Sequence, residues 1–210
     1  MKNSTDITII LDRSGSMEYI KEATIKGFNS FIKEQKQSEE NVNVSLVQFD
    51  HEYMVSYESI PVLEVRKLTN KSFEPRGTTA LFDAIGTTIE NTKKRFKLLD
   101  KHQKPENVLI VIITDGAENA SNKFTQKQTF KMIEKREKKN GWNFVFIGSN
   151  QDAIEEGAKF GIKAECALTF ANDEEGAIEA FASLSRSTSF MKESSKSFEF
   201  SKMDRDIQER

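Results

Sequence analysis

One cysteine, two histidines and three prolines in 210 residues leave little material for several common kinds of protein. The lone Cys166 cannot close an intramolecular disulfide and reads as a small buried hydrophobe. With no Cys-Cys spacing and so few imidazoles, a zinc or copper centre is not expected. A Ser-His-Asp hydrolase is disfavoured on the same ground, and the Gly-x-Ser-x-Gly elbow is missing. His51 and His102 fall in a turn and a polar segment and are expected on the surface. Charge of one sign is also scarce: 31 Lys and Arg stand against 33 Asp and Glu. That balance removes the basic surplus of a general nucleic-acid or anionic-membrane binder. The basic runs Lys93-Lys94-Arg95 and Lys135-Arg136-Glu137-Lys138-Lys139 read as solvated helix faces. No apolar run approaches the roughly 20 residues of a membrane span, and the longest, Val108 to Ile113, is strand length. Met1 to Asp6 lacks the build of a signal peptide, so a reducing, cytoplasmic location is expected.

What is present is core material. Hydrophobic residues make up 37% of the chain and include 16 phenylalanines, with 30% charged residues to solvate the exterior. One domain over residues 1–193 is expected, followed by a polar, loose tail over 194–210. Ile7 to Leu11 is a nearly continuous apolar run, as in a strand buried on both faces, and a helix follows from Glu18. Val42 to Phe49 and Tyr53 to Tyr57 alternate around Asp50-His51 and predict a hairpin at a sheet edge. A helix is expected after Pro75-Arg76-Gly77, then a strand over Val108–Ile113 and a charged helix ending at Gly141. Further elements are a strand over Trp142–Ile147, a short helix opening at Ser149 to Asp152, a strand over Ala164–Phe170 and a last helix from Glu174. This alternation predicts an α/β fold: a doubly wound, mostly parallel sheet with helices on both faces and one antiparallel edge hairpin.

In such sheets ligands gather beyond the carboxyl ends of the strands where strand order reverses. Asp12 and Asp115 both stand at such ends. Asp12-Arg13-Ser14-Gly15-Ser16 sets a carboxylate and two hydroxyls at alternate positions of a tight turn, so three oxygens can converge. Oxygens of this kind are hard ligands suited to Mg²⁺, Mn²⁺ or Ca²⁺. The competing reading is that Asp12 and Ser14 cap the following helix and that Asp115-Gly116 is an ordinary turn.

Asp12-x-Ser14-x-Ser16, the threonine in Gly77-Thr78-Thr79-Ala80-Leu81 and Thr114-Asp115-Gly116 occur in the order of one family: the chain resembles a von Willebrand factor A domain. Phe146 to Asp152 and the terminal strand and helix extend the likeness to stand-alone bacterial and phage members. The resemblance implies a metal-ion-dependent adhesion site on Asp12, Ser14, Ser16, Thr79 and Asp115, with Mg²⁺ first and Mn²⁺ or Ca²⁺ as alternatives. Gly77-Thr78 stands where the family usually shows two glycines, so Thr78 competes with Thr79 in register. The implied partner is a protein that presents a carboxylate to the open metal position. Arg13, Thr78, Glu118 and Asn119 flank the motif and are candidates for the partner-binding rim.

The leading expectation is a non-enzymatic, metal-dependent protein-binding module. A metal-dependent phosphohydrolase using Asp12 is the alternative from the enzyme class, although Asp12-Arg13-Ser14 lacks a second acid two positions on. Phosphate or nucleotide binding at the Ser14-Gly15-Ser16 turn is the third, without a Gly-x-x-x-x-Gly-Lys-Ser/Thr or Gly-x-Gly-x-x-Gly pattern to support it.

Overall fold

The computed structural model describes residues 4–37, 41–149, 153–194 and 197–208. Six strands form one sheet: β1 (Ser4–Asp12), β2 (Asn41–Phe49), β3 (Tyr53–Pro61), β4 (Asn107–Thr114), β5 (Asn143–Ser149) and β6 (Ala167–Phe170). The helices are α1 (Lys21–Gln35), α2 (Leu81–Leu98), α3 (Gln126–Asn140), α4 (Ala153–Lys159), α5 (Glu174–Ser194) and α6 (Lys202–Gln208). The order across the sheet is β3-β2-β1-β4-β5-β6, parallel throughout except for the antiparallel β2–β3 edge pair. This is the doubly wound arrangement with an edge hairpin that the apolar pattern predicts.

Every residue of β1 is buried, and β4 is buried from Val108 onward, which is why these strands read as unbroken apolar runs instead of alternating ones. α1 packs on α5 and α2 packs on α3, so each pair of amphipathic helices closes over apolar strand residues. Among the described residues, no helix is long and apolar enough to cross a membrane.

Boundaries shift where local capping decides them. The turn after β1 makes a short 3-10 helix, Gly15–Glu18, before α1 begins at Lys21. Thr125 caps α3 through a capping box with Gln128, and Gly141 ends it in the left-handed conformation at φ 64°. A 3-10 turn, Ala164–Cys166, takes the first part of the strand expected from Ala164. The capping run expected at Ser149 to Asp152 lies, from residue 150, outside the described residues.

The loose tail does not hold for residues 197–208. Phe198 and Phe200 are 1% and 4% exposed, with ring centroids 5.0 Å apart in edge-to-face contact. Phe198 N–H donates to Asn143 Oδ1 at 3.0 Å, and Cys166 Sγ donates to the Phe198 carbonyl at 3.1 Å. Arg186 Nε then holds Asp204 of α6 at 2.9 Å. The two phenylalanines and these polar contacts anchor the segment, and its mean polarity conceals them.

Candidate metal centre

β1 stops at Asp12 because the next residues must leave the sheet, and they leave at the point where the chain order reverses between β1 and β4. The Asp12 carboxylate, fully buried, folds back over its own turn: Oδ1 accepts from Ser14 N–H at 2.6 Å. Oδ2 accepts from Thr114 Oγ1 of β4 at 2.6 Å. Asp12 is therefore held between the two central strands. Ser14 and Ser16 hydroxyls lie 3.2 Å apart, and Ser16 Oγ donates to Asp115 Oδ1 at 2.7 Å.

Thr79 reaches the same spot from the loop before α2. A methyl group built on Gly116 would stand 3.3 Å from Thr79 Oγ1, 3.6 Å from Ser16 Oγ and 3.9 Å from Ser14 Oγ. The absent side chain thus marks a point on which three hydroxyls converge, beside Asp115. Thr79 is buried and its neighbour Thr78 is exposed, so the geometry turns Thr79 inward. All five sequence-predicted ligand residues meet at one end of the sheet.

The electrostatics are uncompensated. Burial raises the Asp12 carboxyl from 3.8 to about 6, against the hydrogen bonds from Thr114 and Ser14, and the charge of Asp115 adds to the rise. Burial also raises Asp115. Among the described residues neither carboxylate is paired with an arginine or lysine, and Asp115 Oδ2 is buried with no hydrogen-bond partner. Two acids, one of them with an orphaned oxygen, and three hydroxyls form an all-oxygen donor set with net negative charge, which suits a hard divalent cation and lacks the nitrogen or sulfur that zinc or copper favour.

Neighbouring loops fix this geometry. Gly15 N–H donates to the Gly77 carbonyl at 3.2 Å, and Arg76 N–H to the Arg13 carbonyl at 2.7 Å. Gly77 sits at φ 68°, and any side chain there would also strike His51 Nδ1, 2.4 Å from the Cβ position. Asp50, His51 and Glu52 bring three metal-ligating types within 4.8 Å. Asp50 is already met by Arg13 Nε at 3.1 Å and Arg76 Nε at 2.9 Å, with Arg76 also on Glu52, so that cluster is neutralised from within.

Three of the four expected rim residues are occupied elsewhere. Arg13 is 8% exposed and turned to Asp50 instead of outward. Glu118 accepts from the N–H groups of Phe82, Ala120 and Ser121, while Asn119 Oδ1 accepts from Thr79 N–H at 2.8 Å. Both side chains brace the loops that carry Thr79 and Asp115. Only Thr78 of the four is exposed without such a task in the site. The sequence reading missed Thr114, which fixes Asp12, and Asp83, whose carboxylate accepts from Asn122, Lys123 and Phe124 N–H. The Thr-Asp-Gly spelling at 114–116 was the available signal for the first; nothing local signals the second.

Residues 6–184 match the family model described as von Willebrand factor type A domain. No curated protein sequence matches the chain. Among solved structures, proximal thread matrix protein 1 from the mussel byssus, described with a zinc occupied MIDAS motif, aligns with a TM-score of 0.62 at 16% identity. That alignment covers 89% of this chain and 48% of the mussel chain, so this chain spans about half its length. A von Willebrand factor type A structure from Catenulispora acidiphila gives 0.57 at 14% identity, over 88% of this chain and 42% of that one. Manganese-loaded TRAP protein from Plasmodium vivax gives 0.52 at 16% identity, over 85% and 72%. At such identities the likeness establishes the fold.

Proposed function

The chain belongs to the von Willebrand factor type A domain family, and from that premise we propose that it is a non-enzymatic, metal-dependent protein-binding module. Ser14, Ser16, Thr79, Asp115 and, through its hydrogen-bonded turn, Asp12 would hold a divalent cation, Mg²⁺ in the first place with Mn²⁺ or Ca²⁺ as alternatives. When bound, that cation supplies residual positive charge to which a partner's carboxylate can attach. The observation that carries this reading is the buried pair Asp12 and Asp115, which no lysine or arginine among the described residues neutralises, with Asp115 Oδ2 left without a hydrogen-bond partner and three hydroxyls converging at the adjacent Gly116.

The residues divide the work. Thr114 and the Ser14 N–H orient Asp12, while Ser16 holds Asp115 so that its second oxygen remains available. Glu118 and Asn119 keep the Thr79 loop against the Asp115 loop. Zinc in the mussel structure and manganese in the Plasmodium structure are consistent with divalent occupancy of the fold. A phosphohydrolase reading needs a carboxylate free to attack, whereas both Asp12 oxygens are engaged and the residue is fully buried.

Thermal unfolding of chelator-stripped protein tests the proposal. At about 100 times its dissociation constant a cation should stabilise the wild type by about 2.7 kcal/mol, raising Tm by roughly 5 to 10 °C. Asp12→Ala combined with Ser14→Ala should abolish the shift. No shift with millimolar Mg²⁺, Mn²⁺ or Ca²⁺ would overturn the metal reading and favour phosphate binding at the Ser14-Gly15-Ser16 turn.

A further inference from the structure

A groove of about 600 Å³ lies between the β2–β3 hairpin and the 65–74 loop. One of its lining residues is Arg13, which follows Asp12 in the turn that carries the candidate metal centre, so the groove and the centre share that turn. We propose that it receives an extended acidic segment of the partner protein, running on from the carboxylate engaged at the metal. The inference rests on the reading above for its starting point and on separate residues for everything else.

Two of the lining residues carry buried hydrogen-bonding groups that have no partner among the described residues. Gln48 is 1% exposed, and its Nε2 donates to Ser56 Oγ and to the Ser72 carbonyl, both at 2.9 Å. A carbonyl can only accept, so the amide orientation is fixed and Oε1 is left with no partner among the described residues. The Tyr57 hydroxyl is likewise buried without a partner, and burial raises its pKa, so it stays a neutral phenol able to donate. A buried acceptor and a buried donor left unmatched are unfavourable unless something enters to meet them. A peptide backbone that displaced these side chains toward the groove would bring both complements, N–H for Gln48 and C=O for Tyr57.

Charge selects which peptide. Arg66, Lys67 and Lys71 stand exposed along the groove, and none of them makes an ion pair among the described residues; Glu74 is the one acid lining it. On a chain whose charges otherwise nearly cancel, this is a local basic edge. It would draw acidic side chains, and the attraction should weaken with salt.

Fluorescence anisotropy of the full chain with a short labelled peptide alternating Asp and Thr provides the test, against a control with Asn in place of Asp. Binding in Mg²⁺ should be absent for the Asn peptide and should weaken about tenfold or more in Lys67→Glu/Lys71→Glu, whose sites are exposed and unpaired. Tyr57→Phe should weaken it severalfold while leaving Tm unchanged or higher, because the lost hydroxyl bonds nothing among the described residues. Loss in Asp12→Ala with no change in the charge-reversed variant would overturn the groove and leave the metal reading standing. Loss in the charge-reversed variant with no response to EDTA or Asp12→Ala would keep the groove and remove the metal reading. Equal binding of the Asn peptide, tighter binding of a single-stranded oligonucleotide, or no binding at all would overturn the proposal.

Discussion

Strand β1 buries one aspartate near its start and another at its end. Asp6, 2% exposed, receives Arg95 Nη1 at 2.8 Å and Nη2 at 2.9 Å, with Ser59 Oγ donating at 3.0 Å. Ser59 even adopts a left-handed backbone, φ 47°, on the strand that presents its hydroxyl. Asp12, fully buried, accepts from Ser14 and Thr114 and, among the described residues, has no cation paired with it. At the amino end of the sheet a buried charge is matched from within the chain and serves the fold. At the carboxyl end no such match is made among the described residues, so the charge is held at a cost to the fold, which in the proposed reading a cation from outside would offset. Asp50, between Arg13 and Arg76, follows the first pattern although it lies near the second site.

Breaking the internal match should have the largest effect. Arg95→Met leaves Asp6 buried with the Ser59 hydroxyl still donating to it but no cation beside it, and removing one member of a buried pair typically costs about 3 to 5 kcal/mol. For a domain of this size Tm should fall by roughly 10 °C or more, and Mg²⁺ should still stabilise the variant. A change of a degree or two in calorimetry would show that the amino-end pair is not the structural counterpart it is argued to be.

Removing the unmatched charge should act in the opposite direction. Because burial raises Asp12 to about 6, the folded chain binds its proton more tightly than the unfolded chain does. The contribution of this group is therefore favourable below the unfolded value near 4 and is lost as pH rises through about 6. Asp12→Asn removes that loss. Its oxygen can still accept from Ser14 N–H, and Thr114 Oγ1 can redirect its proton to the Gly116 carbonyl, 3.1 Å away. In EDTA at neutral pH the variant should be more stable than wild type by on the order of 2 kcal/mol, with the gain fading toward pH 4 and no response to cations. Chemical unfolding across that pH range measures it, and a variant less stable at neutral pH would place Asp12 with Asp6 as a structural acid.

The periodic parts of this contrast were legible in the sequence, and the paired parts were not. β1 and β4 announced themselves as apolar runs ending in aspartate, and the hairpin, the doubly wound order and the Gly141 cap followed from local rules. The convergence of Asp12, Ser14, Ser16, Thr79 and Asp115 was legible through the spelling of three short motifs. Arg95 read as part of a solvated basic face because its partner Asp6 lies 89 residues away, and no local period records such a pairing. Arg13 read as a rim residue for the same reason, its partner Asp50 being supplied by another strand's turn. Phe198 and Phe200 were concealed by the polar residues around them, although each alone has the side chain of a core residue.

The smallest effect separates two adjacent threonines. Thr79 is buried, with its backbone N–H on Asn119 Oδ1 at 2.8 Å and its carbonyl accepting from Asn119 N–H at 3.0 Å, while Thr78 is exposed. Thr→Val keeps side-chain shape and both backbone bonds while deleting the hydroxyl. Thr79→Val should weaken the cation severalfold, about 1 kcal/mol by the usual worth of one hydrogen-bonding oxygen, with little change of Tm in EDTA. Thr78→Val should leave cation affinity unchanged, because the residue is exposed. Calorimetric titration of Mn²⁺ into the two variants resolves a difference of this size. Affinity lost at Thr78 and kept at Thr79 would mean that the loop engages the ion in a shifted register, and the convergence at Gly116 would then be packing alone.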